Sequence, residues 1–125
     1  MGDYRQLTVW KRAHNLALGV FRVTGAFPPS ERYGLAAQIR RAATSIVSNI
    51  AEGSGRHSSR DEVRFFRIAR ASVSELECQL LLSRDVGFLK RELWLPLDND
   101  CHEIGRMLNG LIRSCSSKYS AVRSP

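Results

Sequence analysis

From Leu35 to Gly53 the chain reads L-A-A-Q-I-R-R-A-A-T-S-I-V-S-N-I-A-E-G. Apolar side chains recur every three or four residues, at Leu35, Ile39, Ala42, Ile46 and Ile50. This spacing places them on one face of an α-helix. A helix with one apolar face has to bury that face against other elements. The stretch therefore predicts one helix of a larger core.

Three other segments repeat the pattern on both sides of this one, with apolar residues alternately four and three apart. They are Val9, Ala13, Leu16, Val20, Val23 and Phe27; Phe66, Ala69, Val73, Leu76 and Leu80; and Leu97, Cys101, Ile104, Leu108, Leu111 and Cys115. A period near 3.5 is typical of bundles with left-handed packing. The sequence predicts a single all-α domain over residues 1–125, an antiparallel up-down-up-down four-helix bundle with left-handed packing.

Capping and helix-breaking residues mark the ends of the predicted helices. The helices are expected at about 6–26, 30–52, 59–85 and 91–116, followed by a frayed tail over residues 117–125. Ser30 is expected to cap the second helix, directly after Pro28 and Pro29 stop the first. Gly53-Ser54-Gly55 is expected to end the second helix with a left-handed position, and Gly87 closes the third.

Pro96 leaves the beginning of the fourth helix open. Either it lies in the first turn of this helix, or it separates a short turn at 89–95 from a helix that begins at Pro96 itself. Both alternatives place the apolar row from Leu97 onward in the bundle. We call this row, and the corresponding row of each other helix, the seam of its helix.

The composition excludes several classes of protein. Of the 125 residues 43% are hydrophobic, which is enough for one core and too much for a disordered chain. Cys78, Cys101 and Cys115 are odd in number and widely spaced, so they predict no disulfide framework and no zinc site. No apolar run is long enough for a signal peptide or a membrane span. A cytoplasmic protein with no membrane partner is therefore expected.

The net charge of +7 favours an anionic partner such as RNA, DNA or an acidic protein. Residues 40–70 hold seven arginines against three acidic residues, and residues 113–125 hold three basic residues and no acid. Arginine suits phosphate because its planar fork donates two parallel hydrogen bonds. A genome whose base composition favours arginine codons is an alternative explanation of the count.

Five arginines near the start of the third helix are the candidate nucleic-acid-binding residues: Arg56, Arg60, Arg64, Arg67 and Arg70. The first four follow one another at helical spacing, and the fifth lies at the edge of the row. Such a row can follow a phosphate backbone. The alternative is an ordinary solvated face that Asp61 and Glu62 partly neutralise.

A polar stripe lies beside the apolar face of the second helix, and a matching stripe lies on the third. The stripes comprise Gln38, Arg41, Ser45, Asn49 and Glu52, and Ser72, Glu75 and Gln79. Folding the two helices back across the glycine loop predicts a semi-buried Arg41–Glu75 contact with Gln38 and Gln79 nearby, which would set the register. The alternative is two unrelated surface residues.

The sequence lacks the motifs of an enzyme. His14, His57 and His102 lie in three different segments, and neither H-E-x-x-H nor E-x-x-H occurs. Nothing assembles a nucleophile, a base and an orienting group. No catalytic residue, metal site or cofactor is therefore predicted.

Motifs along nearly the whole chain carry a family resemblance. They include L-T-V-W at 7–10, F-P-P-S-E-R-Y-G-L at 27–35, Q-I-R-R-A-A-T-S-I at 38–46, N-I-A-E-G at 49–53 followed by Gly55-Arg56, and matches within 66–72, 75–80, 87–89 and 103–112. By these motifs the chain resembles the bacterial four-helix-bundle family named after the 23S rRNA intervening sequence, also called S23-type proteins.

The resemblance implies an up-down bundle that assembles into a ring, usually a pentamer. It also implies kinship to the accessory variability proteins of diversity-generating retroelements, which are basic pentamers that bind nucleic acid and a reverse transcriptase. It implies no settled biochemical activity. One departure is the apolar run Leu93-Trp94-Leu95-Pro96, where the family usually has a polar, acidic helix start. This run is a candidate interface.

Together these observations predict a non-catalytic homo-oligomer that binds structured RNA, or nucleic acid generally, through arginine-rich surface. The alternative is a protein-interaction scaffold whose basic face meets an acidic protein. Neither of these functions requires a cofactor.

Overall fold

The computed structural model describes residues 3–123, and the side chains of residues 3–118. Its four helices are α1 (Thr8–Thr24), α2 (Leu35–Ser54), α3 (Ser59–Asp85) and α4 (Arg91–Arg123). Short 3-10 turns at Tyr4–Gln6 and Pro29–Glu31 precede the first two helices. Since this part of the chain contains no strand, the predicted all-α class is confirmed.

The four helices surround one core built from the predicted seams. Each helix contacts its neighbours along the chain, and α1 also contacts α4. Every predicted seam residue is buried except Val23, Leu35 and Leu111, which are half-buried. These contacts agree with a bundle, while the up-down order of the helices and their left-handed packing stay predictions.

The start of α2 differs from the prediction. The helix begins at Leu35 and not at Ser30, because the chain first forms the 3-10 turn Pro29–Glu31. The backbone N–H of Leu35 donates to Oε1 of Glu31 at 3.4 Å. Glu31 thus accepts a hydrogen bond from a free N–H of the first turn. Ser30 was expected to provide this capping contact.

The glycines after α2 do not adopt the predicted left-handed backbone. Gly55 follows the helix with φ of −88°, and within residues 3–123 only Gly87 has a positive φ, of 91°. Gly87 lies directly after Val86, the residue that caps α3. The need for glycine at position 53 is instead steric, because this buried residue packs against Phe66.

Pro96 lies within α4, which begins at Arg91. It belongs to the second turn, so neither predicted alternative was right; its ring nitrogen only removes one hydrogen bond near the start of the helix. The helix also continues to Arg123, past the predicted end at 116, and residues 117–123 contain no glycine or proline to stop it. Of the predicted tail, residues 124 and 125 lie outside the described residues.

Within the described residues, no helix combines the length and the apolar character that crossing a membrane requires.

Candidate nucleic-acid interface

The loop between α2 and α3 carries the first of the candidate arginines. Only residues 55–58 separate the two helices. The hydroxyl of Ser58 accepts a hydrogen bond from the backbone N–H of Asp61 at 3.2 Å and so caps α3. Asp61 and Glu62 lie in the first turn, where negative charge is favourable. The short, capped loop therefore sets the position of Arg56 relative to α3.

Arg56 and Arg64 lie on the same aromatic ring. Their guanidinium carbons are 4.6 Å and 4.7 Å from the centroid of the Phe65 ring. Nη2 of Arg56 also lies 2.6 Å from Oε2 of Glu52. A cation–π contact limits the freedom of a guanidinium without neutralising its charge. Both arginines are exposed; to bind an anion, Arg56 would exchange its ion pair with Glu52 for the new one.

Arg60 and Arg67 extend this pair along α3. Arg60, Arg64 and Arg67 are all exposed and follow one another at intervals of about one helical turn. The predicted row therefore lies on the solvent face of α3. We call Arg56, Arg60, Arg64 and Arg67 the arginine row.

Arg70 differs from the arginines of this row, because it is half-buried and two of its guanidinium nitrogens form hydrogen bonds within the protein. Nε donates to Oδ1 of Asn109 at 3.1 Å, and Nη1 donates to Oγ of Ser74 at 2.9 Å. A Cβ built on Gly105 would lie 3.2 Å from Cζ of Arg70, so the guanidinium packs against the backbone of α4. Arg70 thus joins α3 to α4, while its role in nucleic-acid binding stays a prediction.

The predicted Arg41–Glu75 contact is not formed. Both residues are exposed, and no salt bridge joins them among residues 3–118. Oε1 of Glu75 instead accepts a hydrogen bond from Nε2 of Gln79 at 3.1 Å, on the same helix. Gln38 is exposed as well. The long side chains extend into solvent because α2 and α3 approach each other through shorter residues.

Ser45 and Ser72 make the polar contact between the two stripes. Their hydroxyl oxygens lie 2.8 Å apart, and Ser72 is buried. Nδ2 of Asn49 donates to both the carbonyl oxygen and the hydroxyl of Ser45. The stripes do meet, with Asn49 as a structural residue, but the side chains that meet are the smallest ones.

A cavity of about 610 Å³ opens beside the arginine row. Tyr4, Trp10, Ser48, Glu52 and Arg56 are among the residues that line it. The ring of Trp10 is stacked on His14 at a centroid distance of 4.8 Å, and Tyr4 meets Trp10 edge-on at 5.1 Å. Aromatic faces beside arginine are the groups on which unpaired bases stack. Sequence reasoning missed this cavity because α1 and α2 contribute its two sides.

Sequence reasoning also missed a cluster of possible metal ligands, Glu77, Asp98 and His102. One ligand atom from each lies within 4.8 Å of the other two. Asp98 and His102 are four residues apart on α4, which is a visible signal for a shared face. Glu77 belongs to α3, and only the packing of the helices adds it to the pair.

The buried cysteines are not activated nucleophiles. Burial raises the pKa of the Cys101 thiol, and the nearby carboxylates of Glu77, Asp98 and Asp100 raise it further. Burial and Glu62 also raise the pKa of Cys115, although Lys118 opposes this. A thiol that stays protonated attacks poorly, so these two cysteines act as small core residues.

Comparisons with known proteins agree with this fold. Residues 5–110 match the family model of the 23S rRNA-intervening sequence protein. The crystal structure of a protein with unknown function from the S23 ribosomal protein family of Bacteroides thetaiotaomicron is similar, with a TM-score of 0.79 and 25% sequence identity over 84% of this chain and 98% of that chain. No curated protein matches the chain. The predicted family is confirmed: this chain belongs to the 23S rRNA-intervening sequence protein family.

Proposed function

We propose that this protein binds structured RNA through the arginine row and has no catalytic activity. The observation that carries the proposal is the pair Arg56 and Arg64, both held on Phe65. Arginines that are already ordered lose less entropy when they bind phosphate, and each offers a fork of donors to its oxygens. Arg60 and Arg67 lengthen the positive face along α3.

The cavity beside the row gives an RNA ligand a second contact. Arg56 lies both on Phe65 and at the edge of the cavity that Tyr4 and Trp10 line. A strand whose phosphates lie on the arginine row can therefore place an unpaired base against an aromatic ring, which is worth about 1–3 kcal/mol per base. An acidic protein, the alternative partner, would pair its carboxylates with the arginines, whereas RNA offers phosphates for the arginines and a base for the rings at a regular spacing. RNA is the better fit for this reason.

The absence of catalysis is part of the same proposal. The sequence carries no motif that assembles a nucleophile, a base and an orienting group, and two of the three thiols are buried with a raised pKa. No cofactor is needed for binding of this kind. We place the protein in the cytoplasm, where ribosomal RNA is found.

Binding to a structured fragment of ribosomal RNA is expected to weaken steeply with salt. If the four arginines of the row each neutralise one phosphate, log K should fall linearly with log salt with a slope of about −3 to −4. Fluorescence anisotropy between about 50 and 200 mM salt measures this slope. An acidic peptide serves as the comparison ligand. Purified protein that binds neither ribosomal RNA fragments nor generic duplexes at low salt would overturn the proposal.

We also propose that the chain forms a ring-like homo-oligomer, with five subunits as the family resemblance implies. Several large apolar side chains are exposed in the described chain. They include Leu81, Leu82 and Val86 at the end of α3, Leu93 and Leu95 at the start of α4, and Leu18 and Phe21 on α1, each 41–52% exposed. Two different faces that cover each other from subunit to subunit generate a ring when the rotation closes. The predicted interface run 93–96 contains two of these exposed side chains, Leu93 and Leu95.

Light scattering after gel filtration is expected to give a mass several times 14.1 kDa. Replacing Leu82 and Leu93 together by glutamate should shift the protein to monomer, because each charge would be buried without a partner in the interface. Gln38→Glu, at an exposed polar site, is the control and should keep the oligomer. A parent chain that runs as a monomer at tens of µM contradicts this proposal.

A further inference from the structure

The cluster of Glu77, Asp98 and His102 lies on two helices, away from the arginine row. Glu77 is a residue of α3, and the other two lie one turn apart on α4. Nε2 of His102 is 3.2 Å from Oδ2 of Asp98, and one ligand atom from each of the three residues lies within 4.8 Å of the others. The cluster thus offers two oxygens and one imidazole nitrogen that converge on one point.

Neither carboxylate of this cluster forms a salt bridge with an arginine or lysine among residues 3–118. Glu77 is half-buried and makes no hydrogen bond or salt bridge with a described residue. The side chain of Asp98 is only 19% exposed, and its ion-pair partner is His102, which carries a charge only when protonated. Two partly buried carboxylates thus lie close together in a chain whose net charge is +7. Like charges so placed are unfavourable unless a cation lies between them.

We propose that Glu77, Asp98 and His102 bind a divalent transition-metal ion, with Zn²⁺ as the best fit. Zinc takes imidazole nitrogen and carboxylate oxygen at about 2.0–2.2 Å, so ligand atoms around it lie about 3.4 Å apart. The His102–Asp98 distance already meets this, and small side-chain rotations bring in Glu77. Imidazole favours zinc over magnesium and calcium, which prefer oxygen ligands alone. With three protein ligands, water completes the tetrahedron on the exposed side of His102.

Such an ion would join α3 to α4 close to Pro96. The proline removes one backbone hydrogen bond near the start of α4, and Asp98 lies directly after this point. A metal that is coordinated from both helices holds the weakened turn against α3. The proposed site is therefore structural, and it is independent of RNA binding.

Zinc titration of chelator-treated protein tests the site. Calorimetry is expected to give one ion per chain, and Glu77→Gln, Asp98→Asn or His102→Gln should each weaken binding at least about tenfold. His57→Gln removes a different exposed histidine and should leave the affinity unchanged. Zinc at about a hundred-fold above its Kd should raise the Tm by about 5–10 °C. His102→Gln should not show this rise in Tm. A variant that is only less stable would have a lower Tm without zinc but would still show the rise on adding zinc.

Cys78 needs its own control, since it is exposed and follows Glu77 directly. Cys78→Ser should bind zinc with unchanged stoichiometry and affinity. The Co²⁺ form should show visible bands without sulfur-to-cobalt charge transfer, because no thiolate belongs to the proposed set. Loss of binding in Cys78→Ser, equal binding in all three ligand variants, or no saturable binding by the parent chain would each overturn the site.

Discussion

Replacing Gly53 by valine is expected to lower the free energy of unfolding by about 3 kcal/mol. A Cβ at this buried position would lie 2.7 Å from Cε1 and 2.9 Å from Cδ1 of Phe66, and 3.2 Å from Cβ of Phe65. The Phe66 ring is only 3% exposed, so it cannot turn aside into solvent. The two extra methyl groups of valine must therefore push α2 away from α3.

Urea unfolding followed by circular dichroism measures this change, and Gly110 supplies the matched control. A Cβ on Gly110, a residue of α4, would have Nη2 of Arg113 as its nearest neighbour at 3.9 Å, an ordinary contact. Gly110→Ala should therefore be neutral or stabilise by up to about 1 kcal/mol through helix propensity. Gly53→Ala should destabilise despite the same gain. Equal stability of Gly53→Val and the parent chain would show that the end of α2 and the beginning of α3 are not closely packed.

This contact also explains a residue of the motif N-I-A-E-G. The glycine at position 53 allows the end of α2 to lie directly on Phe66. Phe65, the neighbour of Phe66, carries Arg56 and Arg64. The close packing at Gly53 therefore supports the ring on which the proposed RNA-binding arginines rest.

Replacing Arg60, Arg64 and Arg67 together by glutamine is expected to weaken RNA binding about 10- to 100-fold near physiological salt. Each lost phosphate contact removes one released counterion, so the salt slope should become less steep by about 2–3. The loss should be similar for RNAs of different sequence, because phosphate contacts carry no base information. Anisotropy titrations at several salt concentrations give both values.

A variant with the same loss of charge elsewhere separates location from net charge. Arg22, Lys90 and Arg91 are exposed and lie outside the arginine row. Replacing these three by glutamine should reduce the affinity much less than the first triple variant, since only long-range attraction is weakened. Circular dichroism should show that both variants remain folded. Equal losses in the two variants would mean that the arginine row is not the binding face.

The apolar spacing within each segment was enough to predict the four helices. Whether a residue belongs to a seam depends only on its own helix. Residues three and four apart share a face whichever helix packs against it. Every predicted seam residue lies in or against the core. The helix ends were harder to predict. Glu31 contacts the first residue of α2, and α4 continues through Pro96. Both depend on local backbone geometry, which the residue types alone do not determine.

Contacts between helices could not be predicted in the same way. The sequence contained Arg41 and Glu75 as an attractive pair, yet α2 and α3 meet through Ser45 and Ser72. Arg70 looked like one more member of a basic row, yet the space at Gly105 draws it against α4. In both cases the size of a small residue on the partner helix decided the outcome.

The amino-acid pattern alone specified an all-α bundle, its four seams and a strongly basic face, because each of these is a property of one helix or of the whole composition. The packing of the helices determined which side chains lie together. It places Phe65 beneath two arginines, Tyr4 and Trp10 beside Ser48, and Glu77 beside Asp98 and His102. These groups depend on the rotation and separation of neighbouring helices. Close approaches such as that of Gly53 to Phe66 set both quantities, and no periodicity within a single segment encodes them.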